Sequence, residues 1–309
     1  MKGRVTRSTG SFATVRTENG ETLECKIRGV FRIKGIRSTN PVAVGDWVEV
    51  QGEEGESVIT EIHPRENYII RKSINLSKES HILAANIDQA FVIATLHSPR
   101  TSLGFIDRLL VTCEAYHIAV TLVLHKIDLY TSSKDKKLLE AFYAVYRPAG
   151  YNIIETSVQT GMGIEQLQEA MQNKVNLFTG HSGAGKSSLI NILSPGINLR
   201  TGALSNAHNK GQHTTTFAEL IELFHNTWII DTPGIKEFGM VDMEKSELGG
   251  YFPEIAALAE HCKFSNCLHA SEPGCAVREQ AGTEKLHARR YESYLGMLVS
   301  DELHKNWKD

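Results

Sequence analysis

The sequence predicts an α/β chain in three parts: a small β-barrel of the OB type over residues 1–72, an α/β domain with a parallel sheet over 73–240, and a helical, metal-binding domain over 241–309. Three observations predict it. Short alternating segments separated by Gly, Asn and Pro turns fill the N-terminal part, the pattern of brief half-buried strands. From Asn86 onward, apolar runs of strand length alternate with amphipathic helical patterns, which means βαβ units and a parallel sheet covered on both faces. After Phe238 the chain turns helical and becomes rich in Cys and His.

In the first part the strand segments are FATVRT, ETLECKI, DWVEV and SVITEI, broken by turns such as ENGE and EEGES. Strands this short at such spacing favour an OB barrel, with an SH3-like barrel as the other closed form. Between them, Lys26, Arg28, Arg32, Lys34 and Arg37 occur with no acidic residue among them. A solvated strand face and a patch for RNA phosphates both fit, since no aromatic ladder accompanies the charges.

The gross numbers exclude several classes. A net charge of −3 argues against a protein that coats nucleic acid by bulk electrostatics, although a local basic face is compatible with it. No apolar run approaches the roughly 18 residues of a membrane span. The start, MKGRVTRSTGSF, lacks the apolar core of a signal peptide, so the cytoplasm is the expected location. Five cysteines, an odd count without an export signal, point to reduced thiols or a metal site. Cys25 and Cys113 sit in strand and helix patterns and read as core. No coiled-coil heptad argues for more than a monomer.

In the middle part the runs IDQAFVIATL, IAVTLVLHKIDL, YNIIETS and VNLFTG read as strands, and FIDRLLVTCEAY, KLLEAFYAVY and IEQLQEAM as helices. VNLFTG leads into HSGAGKSSLIN, so the spacing Gly180-xxxx-Gly185-Lys186-Ser187 falls on a strand-to-helix turn. Gly180, Gly183 and Gly185, with His181, Ser182 and Ala184 between them, let the backbone fold around an anion and point successive N–H groups inward. The helix N-terminus, carrying Ser187 and Ser188, adds a partial positive charge. Lys186 then neutralises the β- and γ-phosphates, and the Ser187 hydroxyl is offered to Mg²⁺.

Two further loops belong to the same chemistry. Asp231-Thr232-Pro233-Gly234 follows the strand TWII, the place for an acidic residue that holds Mg²⁺ through water and a glycine whose N–H senses the γ-phosphate. Gly211-Gln212-His213-Thr214-Thr215-Thr216 is a polar loop able to give a threonine hydroxyl, taken as Thr215, to the metal. Upstream stands His125-Lys126-Ile127-Asp128, which resembles the guanine-reading Asn-Lys-x-Asp motif of GTPases. In that motif the Asp pairs with N1–H and the exocyclic amine of guanine and the Lys stem lies along the ring. A buried carboxylate at Asp128 would reject adenine, which lacks the matching donors. Ser157, in Thr156-Ser157-Val158, resembles the loop that touches the guanine carbonyl. His125 replaces the usual Asn, and an imidazole can donate one hydrogen bond to the cradle or the base.

The base motifs thus precede the phosphate motifs, inverting the usual GTPase order. In a parallel sheet all these loops lie at the C-terminal edge of the strands, so joining the old ends and cutting elsewhere leaves the site unchanged. The expected domain is therefore a circularly permuted one of the P-loop GTPase type. With a barrel in front and a Cys/His domain behind, the order resembles the RsgA (YjeQ) family of bacterial ribosome-associated GTPases over essentially the whole chain. The family's Gly-x-His-Thr-Thr-Thr loop matches Gly211 to Thr216, and its zinc spacing Cys-x4-Cys-x-His-x5-Cys matches Cys262, Cys267, His269 and Cys275.

The metal argument also stands alone. Three thiolates and one imidazole satisfy a closed tetrahedral Zn²⁺ site with no open position for a catalytic water, so the ion is structural. The segment looks too poor in apolar residues to fold without it. For hydrolysis, Ile235 occupies the position after Asp-x-x-Gly where Ras-like proteins carry a water-orienting Gln. His213 is the candidate to substitute, and the resemblance implies the same role. The resemblance also implies GTP and GDP as ligands and the small (30S) ribosomal subunit, through its 16S rRNA, as partner late in maturation. The competing readings are an rRNA-binding module in which nucleotide only stabilises the fold, and an ATP-dependent kinase, which Asp128 disfavours.

Overall fold

Alternation of buried and exposed side chains builds the N-terminal barrel. Its strands are β1 (Lys2–Ser8), β2 (Phe12–Thr17), β3 (Thr22–Ile27), β4 (Trp47–Glu53) and β5 (Glu56–Ile62). The inward-facing Val5, Ala13, Val15, Cys25, Val48, Val50 and Ile59, joined by Val42, form one buried cluster. Pairing runs β1-β2-β3-β5-β4 and closes back from β4 to β1, with β3 and β5 parallel and the other pairs antiparallel. This closed five-stranded order is that of the OB barrel expected from the sequence. A hairpin of β6 (Tyr68–Lys72) and β7 (Ser80–Ala85) follows. The computed structural model describes residues 1–27, 41–53, 56–72, 80–195, 218–224, 226–231 and 243–299. Arg28, Arg32, Lys34 and Arg37 of the basic segment lie outside these. Lys26, within them, is exposed and pairs with Glu56 at 2.5 Å.

The chain then alternates as the sequence predicts: β8 (Gln89–Ala94), α1 (Leu103–Ala115), β9 (Ala119–His125), α2 (Ser133–Tyr146), β10 (Asn152–Thr156), α3 (Ile164–Met171), β11 (Val175–Gly180) and α4 (Lys186–Leu193). Every residue of β8 is buried, and so are the first five of β11, as for strands covered on both faces. Helix starts are encoded locally. Ser102 caps α1 by accepting the Phe105 N–H, and Ser132 with Asp135 forms a capping box on α2. The last elements are β12 (Glu219–Phe224), β13 (Thr227–Asp231), α5 (Pro253–Ala259), α6 (Ala276–Gln280) and α7 (Ala288–Val299).

The chain divides into two compact units. One is Met1–Gln89 with Met171–Phe178 and Ser194–Phe238; the other is Ala90–Ala170 with Thr179–Leu193 and Gly239–Asp309. In the first, β11 and β13 are parallel, with Leu177 opposite Ile230. The expectation of a wholly parallel sheet is corrected there, because β12 runs antiparallel to β13. On its other edge β12 meets β1 antiparallel, Glu219 opposite Arg7, so the barrel and this sheet share one hydrogen-bonded run. A short turn through Asn226 joins β12 and β13, and a tight connection permits only the antiparallel arrangement. In the second unit the order is β10-β9-β8, with β9 and β10 parallel and Thr156 opposite His125.

The C-terminal segment is less apolar-poor than expected. Leu248, Phe252, Ile255, Leu258, Val277, Leu286, Tyr294, Met297 and Leu298 pack into one buried cluster with Val111 of α1. A core of this kind lends the helices stability of their own. Arg290, on α7, is fully buried; it donates to Asp107 Oδ1 at 2.7 Å and to Glu254 Oε1 at 2.6 Å. Cys25 and Cys113 are both fully buried, as expected.

Candidate nucleotide site and metal centre

The apolar strand β11 delivers the chain into Gly180, and α4 begins six residues later at Lys186. The turn between them exists because glycine tolerates it. Gly180 has φ +144°, and a Cβ there would lie 2.3 Å from the backbone oxygen of Ile93. Gly185 has φ +102°, and a Cβ there would meet the His125 ring at 2.5 Å. The Lys186 ammonium curls back over this turn, donating to the carbonyls of Gly180 at 2.7 Å and His181 at 2.9 Å. The Phe105 ring of α1 meets the His181 ring edge-on at 5.8 Å. Backbone N–H groups at a helix start, glycines at positive φ and an overlying lysine together make an anion cradle.

The residues expected from the sequence to read a base stand beside it. Lys126 adopts a left-handed conformation with φ +61°, which turns the chain sharply at the end of β9. Its ammonium reaches across to the Gly183 carbonyl at 3.0 Å and to Ser98 at 2.5 Å. Ile127, Asp128 and Leu129 then form a 3-10 turn. Ser157 Oγ, at the end of β10 and fully buried, donates to Asp128 Oδ1 at 2.5 Å and accepts the Thr160 N–H at 3.2 Å. Asp128 is itself half-buried rather than buried, a correction to the expectation of a sealed carboxylate. A carboxylate at an open rim, braced by a buried serine, is well placed to accept two parallel N–H donors from a planar ring.

His125 is only 2% exposed, and its Nδ1 lies 2.9 Å from Thr156 Oγ1. Burial, and then the neighbouring Lys126 charge, push its imidazole down to about 4, so the ring is neutral at physiological pH.

The structure thus brings His125, Lys126, Ile127, Asp128, Ser157 and the Gly180–Ser188 turn together. Asp231 ends β13 in parallel register with β11, one residue beyond the Leu177 and Ile230 pair. His213, Thr214, Thr215 and Gly234 lie outside the described residues. Sequence reasoning missed Ser98, whose carbonyl receives Lys126. It also missed Tyr130, whose hydroxyl donates to the His125 carbonyl and accepts the Leu96 N–H. A loop between two apolar runs gives no local signal for a carbonyl contact of this kind.

The four metal candidates converge. The ligand atoms of Cys262, Cys267, His269 and Cys275 lie within 4.8 Å of one another. Cys262 Sγ and Cys275 Sγ are 3.9 Å apart, and His269 Nδ1 is 3.5 Å and 3.6 Å from them. With Zn–S about 2.3 Å and Zn–N about 2.0 Å, tetrahedral edges come to about 3.8 Å and 3.5 Å, so the donor set fits zinc. Burial pushes the Cys267 thiol up to about 12 in the absence of an ion, so a bound cation displaces protons there.

A second layer fixes the ligands. Glu272 accepts the N–H groups of Leu268, Ala270 and Ser271, which hold its carboxyl down at about 2. The Tyr291 and Tyr294 hydroxyls donate to the carbonyls of His269 and Leu268 at 2.7 Å and 2.6 Å. Among the described residues no helix is long and apolar enough to cross a membrane.

Comparison with known proteins agrees with this geometry. The model of the RsgA N-terminal domain matches residues 2–59 and that of the RsgA GTPase matches residues 62–241. The small ribosomal subunit biogenesis GTPase RsgA of Bacteroides fragilis is 50% identical over 303 residues, 98% of this chain and 97% of that protein. Its namesake from Flavobacterium psychrophilum is 49% identical over 307 residues, covering 98% and 94%. Among solved structures, YjeQ from Thermotoga maritima superposes with a TM-score of 0.79 at 34% identity, covering 96% of each chain. YloQ, described as a circularly permuted GTPase, gives 0.75 at 30% identity, covering 96% of this chain and 93% of its own.

Proposed function

The chain belongs to the RsgA GTPase family, and from that premise we propose how its residues divide the work of a GTP-hydrolysing enzyme of small ribosomal subunit biogenesis. Asp128 reads guanine through N1–H and the exocyclic amine, with Ser157 bracing the carboxylate and the Lys126 stem lying along the ring. Residues Gly180–Ser188 cradle the phosphates, and Lys186 leaves its loop carbonyls to neutralise them. Ser187, Thr215 and Asp231 would hold Mg²⁺, which would supply charge neutralisation to the phosphates. Thr214 and Gly234 complete the γ-phosphate surroundings. His213 orients the attacking water, because Ile235 cannot.

The observation that carries this reading is the bond from the Lys126 ammonium to the Gly183 carbonyl, which ties a motif encoded before the cradle to the cradle itself. Residues 1–72 form the RNA-facing barrel, 73–240 the permuted GTPase and 241–309 the zinc domain. The permuted order runs the switch after Asp231 directly into the zinc domain, so the GTP state holds barrel and zinc domain in a pose that grips 16S rRNA. Hydrolysis then releases the subunit. The protein works as a cytoplasmic monomer.

The test is GTP turnover with and without purified small subunits, repeated with His213→Ala. Stimulation by subunits that is lost in the variant, with GTP binding retained, is the expected result. Turnover indifferent to subunits, or unchanged in the variant, would contradict the assignment.

A further inference from the structure

The position where GTPases usually carry Asn is filled here by a histidine that is buried. His125 ends β9, directly opposite Thr156 at the end of β10, and the two side chains meet at 2.9 Å through Nδ1. The Cδ2 and Nε2 edge of the same ring faces Gly185, where a Cβ would sit only 2.5 Å and 2.7 Å away. The ring therefore fills the space that a side chain at 185 would need. The Tyr130 hydroxyl donates to the His125 carbonyl at 2.8 Å and accepts the Leu96 N–H at 2.9 Å, tying down the backbone at the end of β9.

We propose that His125 is a positioning residue: its ring, held between the Thr156 hydroxyl and the Gly185 backbone, sets the distance between the guanine-reading strand and the phosphate cradle and does not itself read the base. The inference rests on the assignment of Asp128 and Gly180–Ser188 given above. Nδ1 is committed to the Thr156 hydroxyl, and the Cδ2–Nε2 edge packs towards the Gly185 backbone. A ring that stays neutral adds no positive charge behind the phosphates, and that job remains with Lys186. Lys126 and Asp128, the charged neighbours of the ring, oppose one another in their effect on it, and burial dominates both.

Side-chain geometry makes the idea testable. Asparagine places its two amide atoms where histidine has Nδ1 and Cδ2, so it keeps the Thr156 contact and the contact with Gly185. Glutamine carries its amide one carbon further and alanine has none. With the full-length, zinc-loaded protein, fluorescent GDP and GTP titrations of His125→Ala should show both dissociation constants raised by about tenfold, the loss of one buried hydrogen bond and its packing. The preference for GDP over IDP, which lacks the exocyclic amine, should not change. His125→Asn should restore affinity to within about threefold, and His125→Gln should resemble alanine. Nitrogen-15 NMR of histidine-labelled, nucleotide-free protein should find the His125 ring neutral throughout the range from about pH 5.5 to 8.

A selective loss of guanine over hypoxanthine preference in the alanine variant would make His125 a base contact and overturn the proposal. Unchanged affinity at equal thermal stability would reduce it to core packing. Should the alanine variant fail to fold, equal affinities for the Asn and Gln variants would be the contradicting result. A wild-type protein that binds no guanine nucleotide would instead sink the site assignment, and the NMR result would stand apart from it.

Discussion

Replacing Arg290 of α7 by methionine removes the cation shared by Asp107 of α1 and Glu254 of α5 while leaving both carboxylates in place. The guanidinium makes three charge-assisted contacts: 2.7 Å to Asp107 and 2.6 Å and 3.2 Å to Glu254, with Arg290 and Asp107 both fully buried. Removing one partner of a buried pair typically costs about 3–5 kcal/mol, because the surviving charges lose both water and counter-ion. Against a usual total stability of about 5–15 kcal/mol, that is a large fraction. The guanidinium also lies 4.6 Å from the centre of the Phe252 ring, a contact methionine replaces only in part.

The assay is urea denaturation followed by far-ultraviolet circular dichroism at about pH 7.5 and 5.5. Burial already raises the Asp107 carboxyl, and without Arg290 its neutral form is favoured further. A folded-state pKa raised above the unfolded value means the native state binds more protons. The variant should therefore regain part of its loss as the pH falls towards the unfolded carboxylate range. A triple variant with Asp107→Leu and Glu254→Met added should recover most of it, since no unpaired charge remains. A loss below about 1 kcal/mol, or one indifferent to pH, would refute the reasoning.

Gly180→Ala should raise the GDP dissociation constant steeply, since backbone strain alone is on the order of 1–3 kcal/mol and the added Cβ also collides with the Ile93 carbonyl; near-wild-type affinity by calorimetry would contradict the cradle geometry. Because His125 is held down at about 4 in the folded protein against about 6.5 unfolded, its contribution is present above pH 6.5 and is lost as the pH falls towards 4. Acid titration of thermal stability should therefore be flatter in His125→Asn. Chelation of zinc should remove hydrogen-exchange protection from the Glu272-bonded N–H groups of Leu268, Ala270 and Ser271 while α7 stays protected by its own core. Collapse of the whole helical signal would be the contrary result. Apparent zinc affinity should rise with pH as the Cys267 proton becomes easier to displace.

Much of the site was legible in the sequence because its chemistry is written in short spacings. The glycines at 180, 183 and 185 are required by the backbone angles of one turn, and the four zinc ligands fall within fourteen residues, so neither needs knowledge of distant packing. Lys126 and Asp128 were readable from their place at the end of an apolar run. What stayed hidden depends on long-range pairing. KGRVTRS alternates as a strand should, yet its charges masked β1, and nothing local announces that β1 meets β12 across more than two hundred residues. Arg290 stands in ARRYESYLGMLV, where arginines read as a solvated face; its partners lie 36 and 183 residues away. Glu272, in a Ser-Glu-Pro-Gly stretch, looks like a turn acid until the loop closes three N–H groups onto it.

The account turns on Asp128 and the glycine cradle serving one guanine nucleotide. Its most direct test is Asp128→Asn, assayed by competition of labelled GDP and XDP binding in the full-length protein. Losing the two charge-assisted bonds to guanine should weaken GDP by roughly two to four orders of magnitude, while xanthine, which offers a carbonyl where guanine has its amine, gains a donor from the new amide. A switch from GDP to XDP is the predicted result. A variant that holds GDP as tightly as the wild type, with XDP excluded, would show that this carboxylate does not face the base and would contradict the permuted site.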